Sequence, residues 1–449
     1  MQKAQILTRE NKEAIGLLSI GTFLEYFDMM LYIHMAILLN QLFFPKTSEY
    51  TRGILSAFAF CSSYIFRPIG ALLFGYIGDH IGRKSSIVIT TLMMAIACLV
   101  MAILPTYEQI GLTASVGMII CRIIQSLAAT GELTGAQIYL TETLKPPTSY
   151  LAVGFLTQIC LLGGTSALLI ATIILKLQAN WRIVFLLGSI VALIGTTARV
   201  RLKETIEFAD FKRRMKKAIE DSNTQGLGKL ASLIKKTNPC WGEKTSWQTI
   251  VAYFAIYSGG PLCFYLSYIY TAEILRYKFN FSIEAVMLHN LKLSILGFVT
   301  GMGLIISSKY FSPLKLIKYR GMFFLGLLPI ISMGLGFCDD LRLVIIVQSL
   351  LIIFSLGALP AAPILLKHFP VFKRFTYTSL TYSLSRAVMY SLTSFGLIWI
   401  VGYLGKYGIL VIGLPVVIGF LWGVEYFLKL EQEEKNSMLN AKLGKYKND

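Results

Sequence analysis

Charged side chains are scarce in this 449-residue chain, and acidic ones are the scarcest. Only 15% of the residues are charged, and the 24 Asp and Glu residues are outnumbered by 42 Lys and Arg residues. By contrast, 55% of the residues are hydrophobic and the mean hydropathy is +0.64. This balance excludes an ordinary soluble domain, in which about 25% of residues are charged. It predicts an all-α membrane protein whose chain crosses the bilayer many times.

Residues that bind metals or form disulfides are also few. The four histidines are scattered, and none forms an H-x-x-x-H pair on a helix. The seven cysteines stand singly, with no C-x-x-C pair, and six of them lie in apolar segments, which favours free thiols. Because the sequence holds neither a metal cluster nor a nucleophile–base motif, we expect no enzyme, no metal site and no cofactor.

Long apolar runs divide the chain into two sets of six. A helix needs about 20 apolar residues to cross the hydrocarbon core. The predicted transmembrane helices are at about 16–40, 54–78, 86–104, 114–140, 151–175, 183–198, 248–271, 285–308, 321–338, 343–366, 376–403 and 407–428. The corresponding predicted units are an N-terminal six-helix bundle (1–200), a basic linker (201–246), a C-terminal six-helix bundle (247–430) and a short tail (431–449).

Lysine and arginine are distributed unevenly between the two sets of connections. Thirty of the 42 lie in the termini, in the linker and in the loops after spans 2, 4, 8 and 10, and eight lie in the other loops. The positive-inside rule therefore predicts that both termini are cytoplasmic. The same spread argues against nucleic-acid binding, which gathers basic residues on one compact domain. Four basic residues lie within the spans: Arg67, Arg122, Lys292 and Arg386.

A polar turn rich in glycine joins spans 2 and 3. The stretch GYIGDHIGRKSS has the spacing G-x-x-x-D-x-x-G-R-K, with Gly75, Asp79, Gly82, Arg83 and Lys84. The glycines permit close helix approach and a sharp turn. Asp79 is expected at the start of span 3, where a carboxylate favours the positive end of a helix. A plain turn that obeys the positive-inside rule would explain the two basic residues but neither the acid nor the glycine spacing.

This turn resembles the signature loop of the major facilitator superfamily, and other motifs support the resemblance. In span 4, Arg122 is followed twenty residues later by Glu142, as in the fourth helix of that superfamily. The stretches FLEYFDMMLY, RPIGALLFGYIGDHIGRK, GE and RLKETIEF are similar to the metabolite:proton symporter branch, whose members carry proline/betaine, α-ketoglutarate, citrate or shikimate. The resemblance is close over 15–210 and loose thereafter.

The resemblance implies the major facilitator fold, two bundles that enclose a site near the midplane. It implies a secondary active transporter that uses the proton gradient to take up a small zwitterionic osmolyte or amino acid, such as proline or betaine. A proton symporter for mono- or dicarboxylates is the alternative, and a non-transporting membrane sensor is the alternative from another class. We expect a monomer in the bacterial inner membrane, with the linker as an amphipathic helix on an anionic inner leaflet.

The resemblance also assigns Gly75, Asp79, Gly82, Arg83 and Lys84 to a cytoplasmic gate. Glu142 completes this gate and is expected to pair with Arg83. The equivalent loop of the second half reads SSKYFSPLKLIKYRG and contains no acid. The gate is therefore expected to be held by acids from the first half alone.

Ionisable residues inside the spans are the candidates for proton coupling, because a charge at the bilayer centre costs about 2.5–3.5 kcal/mol and normally faces a cavity or a partner. By depth, Asp28 is predicted near Arg122 in the outer half, and Glu25 near Arg67 and Glu132 in the inner half. A carboxylate that alternates between pairing with arginine and protonation is a simple coupling device. Structural ion pairs that lock the first bundle are the alternative.

Contacts with the solute are predicted on both halves. Lysine and arginine suit a carboxylate, and tyrosine adds a hydroxyl donor on a large apolar ring. Snorkelling or pairing with Glu273 is the alternative for Lys292 and Arg386, and a position at the membrane interface is the alternative for the tyrosines. The predicted substrate-binding residues are Arg122, Arg67, Tyr26, Tyr382, Arg386 and Lys292.

Overall fold

A computed structural model describes residues 8–43, 64–177, 180–200, 245–337 and 340–445 of the chain. Within these residues the chain forms twelve long helical segments, one for each predicted span. The first six are α1 (Arg9–Phe43), α2 (Arg67–His80), α3 (Arg83–Ile103), α4 (Leu112–Thr143), α5 (Thr148–Lys176) and α6 (Arg182–Val200). The predicted linker helix lies outside the described residues.

Three helices of the second half are interrupted. In α7, a π-helical stretch (Tyr265–Tyr270) joins Trp247–Phe264 to Thr271–Tyr277, and in α11 another (Leu392–Gly396) joins Val371–Ser391 to Leu397–Leu404. In α10, the non-helical residues 354–361 separate α10a (Leu341–Ile353) from α10b (Ala362–Lys367). The uninterrupted helices are α8 (Ile283–Ser307), α9 (Pro313–Phe337) and α12 (Gly408–Lys445).

The surface of the bundle is apolar, as contact with lipid requires. Large side chains such as Leu73, Val299 and Phe323 are more than half exposed on their helices. Eight of the described helices are long and apolar enough to cross a membrane by length and composition. Within the described residues, Cys98, Cys121, Cys160 and Cys263 are free and buried, which confirms the prediction of free thiols at these four positions.

The two halves pack against each other through two pairs of helices. Inside the first half, α1 packs on α5, and α3 packs on α4 and α6. Inside the second half, α12 packs on α7 and α9. The main contacts between the halves join α2 to α11 and α5 to α8. These two helix pairs therefore flank the space between the halves.

One end of the bundle holds the turns from α2 to α3, from α4 to α5 and from α10 to α11. We refer to it as the inner end, because the distribution of basic residues predicts that it faces the cytoplasm. At this end α12 continues as one helix to Lys445. The predicted tail from 431 onward is thus helical as far as that residue.

Candidate functional site

A cavity of about 350 Å³ lies between the two halves. This is the lower end of the size range of small-molecule sites, about 300–1,000 Å³. Its walls come from α1, α2 and α5 of the first half and from α7 to α11 of the second. Its charged residues are three arginines, and among the described residues that line it there is no Asp or Glu. These arginines are Arg67, Arg320 and Arg386.

Arg67 brings a cation to the first-half wall. Its guanidinium lies 4.5 Å from the centre of the Tyr64 ring and also contacts the sulfur of Met29. The Tyr64 ring packs on Tyr390 of α11, with ring centres 4.1 Å apart. An arginine on a tyrosine face gains cation–π stabilisation when desolvated, so these rings hold the guanidinium at the cavity wall.

Arg386 of α11 brings a guanidinium to the second-half wall of the cavity, as Arg67 does to the first-half wall. Its guanidinium lies 3.7 Å from the centre of the Tyr382 ring, and its Nη1 is buried without a hydrogen-bond partner among the described residues. The Tyr382 hydroxyl lies 3.3 Å from the hydroxyl of Tyr26 on α1. The structure thus brings four predicted substrate-binding residues together: Arg67, Tyr26, Tyr382 and Arg386.

Lys292 lies away from this cavity. Its side chain is exposed, whereas Ser294, Gly297 and Gly301 of the same helix line the cavity. With about 100° between successive residues of an α-helix, Lys292 projects roughly 200° from Ser294, towards the opposite face of α8. The sequence identified a basic residue in span 8 but could not indicate which face of that helix turns inward.

Asp28 and Arg122 are linked through intermediates and do not form a direct ion pair. Asp28 is buried, and neither of its oxygens accepts a hydrogen bond from a described N–H or O–H group; the thiol of Cys98 lies beside it. Gln125 donates from Nε2 to Cys98 Sγ at 3.1 Å and accepts from Arg122 Nη1 at 2.8 Å. Arg122 also stacks on Tyr32 at 3.7 Å and does not line the cavity. Cys98 and Gln125 thus connect the predicted pair.

Of the other two predicted coupling acids, the structure describes the side chain of Glu25 and not that of Glu132. Glu25 is 3% exposed and lies near the thiol of Cys160, a residue that lines the cavity. Glu132 belongs to α4, but its side chain is outside the described part of the structure. The predicted grouping of Glu25, Arg67 and Glu132 therefore stays a prediction.

Arg320 lines the cavity, although the sequence placed it in a loop. Span 9 was predicted to begin at residue 321, but α9 begins at Pro313, which puts Arg320 two turns inside the helix. Its Nη2 donates to the carbonyl of Ile353 at 2.8 Å and to Ser355 Oγ at 3.2 Å. These acceptors lie where α10a ends. An earlier helix start, signalled by proline at the first helical position, was the sequence feature that could have revealed it.

At the inner end, Asp79 joins α2 to α11. It accepts hydrogen bonds from the amide of Thr376 at 2.9 Å, from the Thr376 hydroxyl at 2.6 Å and from the amide of Phe375 at 3.3 Å. Asp79 was expected at the start of span 3, but it lies in the last turn of α2 and contacts the other half of the molecule. The close approach requires glycine, because a Cβ on Gly75 or Gly78 would overlap Thr376 or Phe375.

Glu142 forms a second contact between the halves at this end. It lies 2.9 Å from Nη1 of Arg374, and both side chains are at most 8% exposed. Arg374 also donates from Nε to the carbonyl of Phe369. The expected pairing of Glu142 with Arg83 stays a prediction, because the Arg83 side chain is outside the described part of the structure. We refer to Asp79, Glu142, Arg374, Phe375 and Thr376 as the inner clasp.

The turn beside the inner clasp contains the remaining gate residues. Gly82 precedes α3 with φ of 149°, a backbone conformation that favours glycine. Lys84 lies in the first turn of α3 and is half-buried. Both acids of the inner clasp come from the first half, and the second half supplies two amides, a hydroxyl and an arginine. That the cytoplasmic gate is held by acids from the first half alone stays a prediction.

Known proteins resemble this chain in both sequence and fold. The sequence model described as Major Facilitator Superfamily matches residues 18–394. The chain is 25% identical over 433 residues to the glycine betaine/proline/ectoine/pipecolic acid transporter OusA of Dickeya dadantii, covering 92% of this chain and 82% of OusA. It is 28% identical over 281 residues to the α-ketoglutarate permease of Escherichia coli K12, covering 61% of this chain and 59% of the permease.

A third relative matches over a shorter region. The chain is 31% identical over 205 residues to the proline/betaine transporter of Escherichia coli K12, covering 44% of this chain and 41% of that transporter. The match therefore spans less than two thirds of the length of both the permease and the proline/betaine transporter.

Solved structures share the fold at low sequence identity. The proton:xylose symporter XylE, bound to 6-bromo-6-deoxy-D-glucose, superposes with a TM-score of 0.73 at 15% identity, over 93% of this chain and 95% of XylE. The human organic anion transporter TETRAN superposes with a TM-score of 0.65 at 12% identity, over 94% of this chain and all of that one. The shared feature is the arrangement of the helices.

Proposed function

Because the chain belongs to the major facilitator superfamily, we propose that it is a secondary active transporter that couples the uptake of a small carboxylate-bearing solute to proton entry. The observation that carries this proposal is the cavity between the halves, to which Arg67 and Arg386 bring guanidinium groups from opposite sides. A solute gripped by both halves is sensitive to their relative movement. Alternating access moves the two bundles around such a site.

The inner clasp supplies the gate of this cycle. Asp79 and Glu142 hold α11 against α2 and α4, so the path from the cavity to the inner end is closed while these contacts persist. Release of the solute towards the inner end requires them to separate. They are polar contacts between groups that water can solvate after separation, so they suit a reversible gate.

Asp28 is the favoured coupling residue. A buried carboxylate is costly in its charged form unless a cation or donors compensate it. Cys98 and Gln125 connect Asp28 with Arg122. A shift of Arg122 towards Asp28 would bring a positive charge close to the carboxylate and stabilise its charged form. Protonation would release Arg122 again. In this scheme Asp28 takes up the coupled proton and the proton gradient supplies the driving force, with no cofactor.

The solutes named for the relatives suggest two candidate classes. Proline and betaine are zwitterions, and α-ketoglutarate is a dicarboxylate; all carry a carboxylate that an arginine can bind through two parallel hydrogen bonds. We therefore propose a carboxylate as the recognised group.

The relatives and the apolar helices identify a multi-pass membrane protein. We further propose that it resides as a monomer in the bacterial inner membrane with both termini in the cytoplasm. The 30 basic residues of one set of connections against eight of the other support this orientation. Anionic lipid would hold the basic linker at the inner leaflet.

Reconstituted vesicles test the proposal. Accumulation of radiolabelled proline, betaine, α-ketoglutarate and shikimate is measured with an inward proton gradient, without it, and with a protonophore. We expect at least one solute to exceed its equilibrium level only when the gradient is present. Ligand-induced thermal stabilisation without accumulation of any solute would instead favour the membrane-sensor alternative.

A further inference from the structure

Arg320 is a cation held at the cavity wall by a broken helix. The end of α10a leaves backbone carbonyls without helical partners, and Arg320 Nη2 donates to one of them, Ile353 O, and to Ser355 Oγ. A guanidinium has five N–H donors. Its Nε is buried and has no hydrogen-bond partner among the described residues. Arg320 is thus fixed in position with donor capacity remaining.

The broken part of α10 borders the same space. Residues Ser355, Leu356, Gly357 and Leu359 line the cavity together with Arg320. The amide of Leu356 donates to Cys263 Sγ, and a Cβ on Gly357 would have no atom within 4 Å. The unwound stretch is therefore held by Cys263 at Leu356 and leaves open space at Gly357, in the cavity that Arg320 also lines.

Arg320 and Arg386 lie at different positions along their helices. Arg320 is seven residues, about 10 Å, from the inner end of α9, whereas Arg386 is fifteen residues, about 22 Å, from the inner end of α11. Arg320 is thus nearer the inner end. A solute with two separated anionic groups could contact both arginines.

The charge of the lining discriminates between the candidate solutes. The three arginines give the described lining a charge of +3, and no described lining residue is acidic. A dianion offsets more of this charge than a zwitterion, whose cationic group would meet a positive field. Two of the tyrosine faces that could stabilise such a cation are already engaged, since Arg67 lies on Tyr64 and Arg386 on Tyr382.

We propose that Arg320 and the unwound residues 354–361 form a second anion subsite, which binds the far carboxylate of a dicarboxylate while Arg67 and Arg386 bind the near one. This inference rests on the proposed transport function and specifies its solute class. Arg320 acts as a specificity-determining residue, because a monocarboxylate or zwitterion has no group for this subsite.

The test compares R320Q and R320K with the unaltered protein in two assays. The first is counterflow in vesicles with α-ketoglutarate, proline, betaine and a monocarboxylate as competitors. The second is thermal stabilisation of the purified protein by the same compounds, which reports binding without transport. K315Q is the matched control, because Lys315 is an exposed cation on the same helix.

We expect α-ketoglutarate to bind the unaltered protein more tightly than the other compounds. R320Q should weaken its binding by about tenfold or more while changing monocarboxylate binding less than about twofold, since a hydrogen bond to a charged group carries most of the difference. R320K should fall between the two, and K315Q should match the unaltered protein.

Three outcomes would overturn the subsite. The first is that the unaltered protein binds proline or betaine more tightly than α-ketoglutarate. The second is that R320Q still binds α-ketoglutarate more tightly than the other compounds by the same factor as the unaltered protein. A uniform loss of binding for all compounds in R320Q and R320K would show that Arg320 only supports the break in α10. Failure of transport with intact, Arg320-dependent binding of α-ketoglutarate would contradict the proposed function alone.

Discussion

At the scale of single residues, the buried ionisable groups of the first half fall into two environments. Arg67 borders the cavity, whereas Asp28 lies beside Cys98 and away from the lining. Among the described residues, Gln125 and Cys98 connect Arg122 with Asp28. Because Arg67 and Asp28 are in separate places, substitutions can alter protonation of Asp28 and solute binding at the cavity independently.

Asp28→Asn tests the coupling residue. The amide is close in size and cannot take up the coupled proton, so we expect loss of proton-driven accumulation with solute exchange retained. The measurement is gradient-driven accumulation against counterflow in vesicles. Glu108→Gln is the control, because Glu108 is an exposed acid outside the long helices. Normal accumulation by Asp28→Asn would exclude Asp28 and leave Glu25 or Glu132 as candidates.

At the scale of helices, close approach and interruption have separate uses. The helix α2 meets α11 where glycines remove the side chains that would keep them apart. The helix α7 changes to a π-helix at Tyr265–Tyr270, and the carbonyl of Ser267 there accepts a hydrogen bond from Gln348 of α10 at 2.5 Å. π-helical turns disturb the regular backbone ladder and make a carbonyl available to a neighbouring helix. The close contact of α2 with α11 lies at the inner end, whereas the interruptions of α7 and α10 border the cavity.

Gly78→Ala tests the close approach of α2 and α11. The added methyl would overlap the ring of Phe375, so the inner end should close poorly and transport should fall. Phe375→Ala removes the ring, and the double variant should recover part of the lost rate. Transport by Gly78→Ala at the unaltered rate, with equal expression, would argue that this contact does not limit the cycle.

At the scale of the molecule, the two halves are held together by polar contacts at one end and by apolar packing along their length. Glu142 and Arg374 form a buried pair between α4 and α11, 232 positions apart in the chain. A buried charge that loses its partner is destabilising by about 3–5 kcal/mol, whereas loss of both charges costs less. Movement of the halves therefore depends on contacts that no single half contains.

A double-mutant cycle on this pair measures the contribution of the inner clasp. Glu142→Gln and Arg374→Gln should each lower the transport rate, and the double variant should lose less than the sum, with a coupling energy of about 0.5–3 kcal/mol. Lys318→Gln with Glu425→Gln is the matched control, because that pair joins α9 to α12 inside one half. Strict additivity at Glu142 and Arg374 would exclude a gating role for the pair.

The orientation of the molecule is open to direct measurement. Cysteines at Lys217 and Lys435, in a background without other cysteines, should react with an impermeant thiol reagent only from the cytoplasmic side. Lys435 is exposed on the inner extension of α12, and Lys217 belongs to the basic linker. A cysteine at Glu108 should react only from the opposite side. Labelling of Lys435→Cys in intact cells would reverse the predicted topology.

The sequence by itself determined the class of protein and the twelve helices. These features depend on the transfer of each segment between water and lipid, which is decided by local composition. Arg67, Arg386 and Tyr26, which were selected from charge and residue type, line the same cavity, and their role in solute binding stays a prediction. Such local properties can be read without knowledge of neighbouring helices.

Only the tertiary structure decided which groups meet. Asp79 contacts Thr376 almost 300 positions away, Glu142 contacts Arg374, and Lys292 projects away from the cavity. Arg320 lines the cavity because α9 begins at Pro313, before the apolar run from which span 9 was predicted. These outcomes depend on how far each helix extends, which of its faces turns inward and how the halves pack. Hydropathy along the chain constrains none of these three, because it records the solvation of a segment and not the identity of its neighbours.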